Sequence, residues 1–157
     1  MISTNKYDKI IKIVVSTGIG SVKDEPKKEN ILKSLTLIAG QKPKINQAKK
    51  SIAAFKSRQG MPIGYSVTLR GKRARDFLEK LINVAIPRTR DFRGLDQKLI
   101  DNAGNLTIGL KEHIVFPETA NEDVRSAFGL GVTIATKAKT KQEALELLKS
   151  IGFPFKK

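Results

Sequence analysis

Ile63-Gly64-Tyr65-Ser66-Val67-Thr68-Leu69-Arg70 alternates in character along its length. Val67 and Leu69 fall on one side, and Ser66, Thr68 and Arg70 on the other. A two-residue period of this kind marks a strand with one buried face and one wet face. Gly71 then opens a segment in which Phe77, Leu78, Leu81, Ile82 and Ala85 make an apolar stripe at helical spacing, ended by Pro87. An amphipathic strand running into an amphipathic helix points to a sheet covered on one side only.

The flanking sequence repeats the theme. Ile10-Ile11-Lys12-Ile13-Val14-Val15 is short and β-branched, bounded by Gly18 and Gly20, and reads as a strand. Lys23-Asp24-Glu25-Pro26 is a helix entry, Ile31, Leu35 and Ile38 are its apolar stripe, and Gly40 is its stop. Residues 43–48 are a possible second strand, and residues 51–60 a basic loop of little periodicity. Residues 97–101 and 106–111 bracket Asn102-Ala103-Gly104-Asn105 as the arms of a hairpin. In the second arm Leu106, Ile108 and Leu110 oppose Thr107, Gly109 and Lys111. In residues 130–136 Leu130, Val132 and Ile134 point inward. Thr140 and Glu143 form a capping box ahead of Ala144, Leu147, Leu148 and Ile151, with Gly152 closing the helix. The expected architecture is a single α+β domain over residues 1–157. Its sheet is largely antiparallel, with helices on one face and the other face open.

Charge says what such a face is for. From Asn30 to Arg75 the chain runs 46 residues without an Asp or Glu while carrying eleven Lys and Arg, and the whole chain has a formal net charge of +15. One-sign stretches of this length repel themselves in a compact state unless a polyanion neutralises them. Nucleic acid does so, each phosphate contact releasing a condensed counterion. An anionic membrane surface is the second partner class, but no run approaches the roughly 18 apolar residues of a spanning helix. Met1 to Lys12 has neither a signal core nor the Arg-rich, acid-free composition of a targeting peptide, and the chain has no Cys. A cytosolic protein is expected.

Catalytic groups are scarce. His113 is the only histidine, beside Glu112 just past an alternating strand, and reads as an ordinary surface or half-buried residue. Glu118, Glu122 and Asp123 lie near an apparent helix start, where the helix dipole accounts for acids without a metal. Gly18-Ile19-Gly20 follows a strand, but Lys23 stands where a dinucleotide fingerprint needs a third glycine. The simpler account is a tight strand exit needing glycine. No cofactor or metal site is expected.

Nucleic-acid contacts have better candidates. Ser66, Thr68 and Arg70 present donors on a flat sheet face, suited to phosphates, riboses and 2′-hydroxyls of RNA. Residues 48–62 set Lys49, Lys50, Lys56 and Arg58 around Ile52, Phe55 and Met61. Cations with one aromatic on a flexible loop neutralise a backbone while packing against a nucleotide. Arg88, Arg90 and Arg93 make a second basic cluster, suited to bidentate phosphate binding.

Taken together, Gly40-Gln41-Lys42-Pro43, Ala48-Lys49-Lys50-Ser51-Ile52-Ala53, Arg58-Gln59-Gly60-Met61-Pro62-Ile63-Gly64 and Val67-Thr68-Leu69-Arg70-Gly71 resemble the large-subunit ribosomal protein L-five family. So do Pro87-Arg88-Thr89-Arg90-Asp91-Phe92-Arg93-Gly94, Gly104-Asn105, Phe116-Pro117-Glu118 and Gly152-Phe153-Pro154-Phe155, in the family's order and spacing. The resemblance implies a non-catalytic subunit of the large ribosomal subunit that grips 5S rRNA with its outer sheet face. It implies 5S rRNA contacts at Ser16, Gln41, Lys42, Ser66, Thr68, Arg70, Arg88, Arg90 and Arg93. Gln41 and Thr68 match characteristic polar positions of the family, whereas Ser16 stands where the family has Asn, keeping a hydroxyl and losing the amide. It further implies that a loop containing Lys49, Lys50, Ser51, Phe55, Lys56, Arg58 and Gln59 touches the peptidyl-site tRNA. The other implied partners are large-subunit rRNA, neighbouring 5S-binding ribosomal proteins and a protein of the small-subunit head. Bacterial relatives begin with a further helix of about twenty residues, so a version shortened at the N-terminus is expected. Two readings from other classes are an RNA-processing enzyme, which needs a perturbed acid or a divalent ion among Glu118, Glu122 and Asp123, and a general architectural protein that binds duplex DNA equally well.

Overall fold

The computed structural model describes residues 6–90 and 92–157, with Phe55 described in its backbone only. Five strands, β1 (Ile10–Gly18), β2 (Lys44–Gln47), β3 (Pro62–Leu69), β4 (Leu106–Leu110) and β5 (Leu130–Thr136), form one sheet in the order β2-β3-β1-β5-β4, every pair antiparallel. Three helices, α1 (Glu25–Ala39), α2 (Gly71–Lys80) and α3 (Lys141–Ile151), accompany it. The expected α+β class and antiparallel sheet are what the chain adopts.

The alternation seen at residues 63–70 explains the core. Tyr65, Val67 and Leu69 of β3 lie opposite Thr17, Val15 and Ile13 of β1. Val15 and Ile13 in turn lie opposite Val132 and Ile134 of β5. All of these are buried, as are Leu106, Ile108 and Leu110 of β4. Ile31, Leu35 and Ile38 of α1, Ala74, Phe77 and Leu78 of α2, and Ala144 and Leu148 of α3 complete that core. Apolar burial at roughly 25 cal/mol per Å² is the main force holding the two layers together.

Helix boundaries follow local chemistry. Pro26 sits in the first turn of α1, and Gly40 ends it at φ 69°, donating its N–H to the Thr36 carbonyl at 2.8 Å. In α3 the Thr140 hydroxyl accepts from the Glu143 N–H at 3.2 Å, while the Glu143 carboxylate accepts from the Lys139 N–H at 3.0 Å. This is the capping-box exchange moved out by one residue. Past α2 the chain widens into a π-helical turn, Leu81–Ala85, before Pro87.

Three expectations are corrected. Residues 97–101 are not a hairpin arm: Gln97–Leu99 is a 3-10 turn, and only Ile100 bridges to Leu106. The turn is tied instead by Asp101, whose carboxylate accepts the Asn105 N–H at 2.8 Å and is held below the usual carboxylate range by that bond. Gly18 and Gly20 do not take the left-handed conformation, so the strand exit needs no glycine there. Finally, residues 48–61 are no irregular loop but a hydrogen-bonded extension of the β2–β3 hairpin. Ala48 N–H reaches Met61 O and Gly60 N–H reaches Ala48 O, both at 2.9 Å, and Ile52 and Ser57 exchange bonds of 3.0 and 3.2 Å.

Candidate RNA interface

With the odd-numbered residues of β1 and β3 turned to the helices, the even-numbered ones build the opposite face, and register places them in rows. One row runs Gly109, Gly131, Ser16, Ser66, Lys44 across all five strands. The next runs Thr107, Thr133, Val14, Thr68. Gly18, Gly64 and Asn46 continue the face at the end from which the 48–61 hairpin projects. Glycine, serine and threonine leave this surface flat, so a sugar–phosphate chain can approach the strands themselves.

Side-chain bonds fix part of the face. Asn46 Nδ2 donates to Ser66 Oγ at 3.1 Å. Gln41, just past α1, donates Nε2–H to the Thr68 carbonyl at 3.3 Å and accepts from the Arg73 guanidinium at 3.0 Å. The structure therefore gathers Ser16, Gln41, Ser66 and Thr68 on one surface, although they are far apart in sequence. Lys42 and Arg70 are exposed near its Gln41 end.

At the opposite end the hairpin carries Lys49, Lys50, Lys56, Arg58 and Gln59, all exposed, and the Ser51 hydroxyl accepts the Gln59 N–H at 2.9 Å. The side chain of Phe55, expected to meet a nucleotide, lies outside the described residues. Lys56 holds φ 52°, the left-handed conformation that turns the hairpin tip. The 88–93 arginines are not gathered with the hydroxyl rows. Arg88 is exposed on the turn after the π-helical segment, and Arg90 reaches Glu112 at 4.0 Å beside the end of β4. Arg93 is exposed next to the C-terminal segment, where Leu95 N–H meets Pro154 O at 2.7 Å. Asp91 lies outside the described residues. Exposed pairs such as Arg90–Glu112 contribute little to stability, leaving the guanidinium free to exchange partners.

Asn46, Thr107, Thr133 and Gly131 went unremarked in the sequence. The period-2 signal in residues 106–111 and 130–136 was available, but it does not say which strands are neighbours.

The acids and the histidine turn out to be structural. His113 is fully buried, not a surface or half-buried residue. Its Nδ1 accepts the Phe128 N–H at 3.3 Å, so Nε2 carries the proton and donates to the Glu122 carboxylate. The ring stacks on Phe128 at 4.0 Å, and the other Glu122 oxygen accepts from the Ser34 hydroxyl of α1 at 2.7 Å. Glu118 pairs with Lys80 at 2.6 Å, and Asp123 caps a short 3-10 turn, not the start of an α-helix. These acids hold the 113–128 segment against α1 and α2. Replacing His113 by Ala leaves buried partners unsatisfied and should lower stability by about 1–3 kcal/mol in urea unfolding, without changing RNA affinity.

The family model described as Ribosomal protein L5 matches residues 8–58, and the model of that ribosomal family's C-terminus matches residues 62–155. The large ribosomal subunit protein uL5 of Natranaerobius thermophilus is 51% identical over 148 residues, covering 94% of this chain and 83% of the relative. The chain belongs to the ribosomal protein L5 family. Large ribosomal subunit protein uL5 of Lacticaseibacillus casei and that of Mycoplasma mycoides are each 51% identical over 156 residues, 99% of this chain and 87% of the relative. Ribosomal protein L5 is a structural, RNA-binding family and not an enzymatic one. Among the described residues no helix is long and apolar enough to cross a membrane.

Proposed function

We propose that this protein is a constituent of the large ribosomal subunit, and that the uncovered face of its sheet binds 5S rRNA. The observation that carries this is a flat face of hydroxyls and glycines on a chain of net charge +15. Ser16, Gln41, Lys42, Ser66, Thr68 and Arg70 hold the RNA there by phosphate neutralisation and 2′-hydroxyl contacts, and Arg88, Arg90 and Arg93 extend the grip beyond β4. The 48–61 hairpin leans on the peptidyl-site tRNA. Large-subunit rRNA, the neighbouring 5S-binding proteins and a bridge to the small-subunit head complete its surroundings. No chemistry is performed.

The test is a gel-shift comparison of 5S rRNA with an unrelated RNA of equal length at moderate salt, where equal affinities defeat the reading. Replacing Lys49, Lys50, Lys56 and Arg58 together by Ala should spare 5S binding and weaken the hold on tRNA. The log–log salt slope for tRNA should become shallower by about 0.7–0.9 for each phosphate that is no longer neutralised. A collapse of 5S binding in that variant refutes the division of labour between hairpin and sheet.

A further inference from the structure

Asn46 lies on β2 at the margin of the open face, half-buried and opposite Gly64. Its carboxamide meets one side chain: Nδ2 donates to Ser66 Oγ at 3.1 Å, and Ser66 Oγ lies 3.3 Å from Oδ1. Ser66 is itself opposite Ser16, so Asn46, Ser66 and Ser16 form a polar line across β2, β3 and β1. A carboxamide has two N–H donors and two acceptor lone pairs. One serine hydroxyl uses at most one of each, and Gly64 alongside brings no side chain to use the others. A donor and an acceptor therefore remain side by side on the face.

That pairing is what a base edge recognises. Asn and Gln bind adenine bidentately, and unstacked RNA bases are read by hydrogen bonds along their edges. The threonine hydroxyls of the face are single centres suited to ribose and phosphate, and its lysines are point charges. The other carboxamide at the face, Gln41, is engaged at both ends by the Thr68 carbonyl and Arg73. We propose that Asn46 is a base-reading residue of this face, its carboxamide held in position by Ser66. The proposal rests on the reading of the sheet as the 5S rRNA surface.

Filter binding of 5S rRNA across a potassium chloride series, with base-specific chemical probing of the bound RNA, tests it. Asn46→Ala should weaken binding about 5- to 100-fold, the range for removing one bidentate base pairing. The salt slope should stay unchanged and one base should become reactive to the probe. Asn46→Asp keeps the shape and the acceptor for Ser66 but removes both N–H groups, so it should weaken binding at least as much. Ser66→Ala should weaken it less than either. Thermal melts of all three confirm that they are folded. An Asn46→Ala variant that binds like the wild type, or binds with a shallower salt slope, overturns the proposal. So does a Ser66→Ala loss equal to that of Asn46→Ala, because Asn46 would then act only by supporting Ser66. If the wild type itself does not prefer 5S rRNA over an unrelated RNA, the RNA reading of the sheet fails. If the wild type prefers 5S rRNA and Asn46→Ala binds equally well, only this inference fails.

Discussion

Thr68→Glu should all but eliminate RNA binding while leaving the protein folded. Thr68 is exposed on β3, opposite Val14, in the centre of the open face. What it offers to the fold is its backbone carbonyl, which accepts from Gln41, and a Glu keeps that carbonyl. Surface substitutions of this kind change stability by about 0.5 kcal/mol or less. For a phosphate near the face the change is severe, because two like charges about 4 Å apart repel by about 4 kcal/mol at an effective dielectric constant near 20. The expected loss is about 100- to 1,000-fold in affinity, partly recovered by added salt that screens the repulsion. Thr68→Val, which removes the hydroxyl and adds no charge, should cost far less. Quantitative filter binding against 5S rRNA, with a thermal melt as control, measures all of this. A folded Thr68→Glu protein with wild-type affinity would place the RNA elsewhere.

Phe116→Ala should have the largest effect on stability. Phe116 is fully buried and packs against Phe77 of α2, ring centroids 5.8 Å apart. The Lys80 ammonium lies 5.6 and 5.7 Å from the Phe77 and Phe116 ring centroids. The same ammonium donates to the Ile38 carbonyl at the end of α1 and to Glu118, both at 2.6 Å. Phe116 therefore sits under a junction joining α1, α2 and the 113–119 turns. Its removal leaves a cavity and costs about 3–5 kcal/mol, a large part of the roughly 5–15 kcal/mol that holds a domain together. At about 2–4 °C per kcal/mol for a chain of this size, the melting temperature should fall by roughly 6–20 °C. Urea unfolding followed by circular dichroism gives the free energy directly. A loss below 1 kcal/mol would mean that the site collapses around the gap.

Phe116 and Thr68 also mark how far sequence patterns reach. The apolar alternation of residues 63–70, the stripe Ile31, Leu35 and Ile38, and the caps at Gly40 and Thr140 each report local geometry. Each was found where its pattern placed it. The 97–101 segment misled because an apolar pair at its end resembles a strand, whereas Asp96 and Asp101 draw the backbone into turns. His113 misled because a lone polar residue gives no sign of its partners. Glu122 is nine positions away and Ser34 lies on another element. The hairpin at 48–61 misled because its bonds are between backbone groups, which leave no trace in side-chain type.

The chain's order of residues determined on its own the class of fold, the inward face of every strand and the excess of cations, because period, capping and charge are properties of neighbours along the chain. Only the tertiary structure decided that Ser16, Ser66, Asn46 and Thr133 share a surface, that Arg90 stands apart from them, and that His113 is buried. Those facts depend on which strands pair and in what register. Pairing is settled by burying the apolar faces of distant segments together, and one residue of slip would have turned every one of these side chains to the other side.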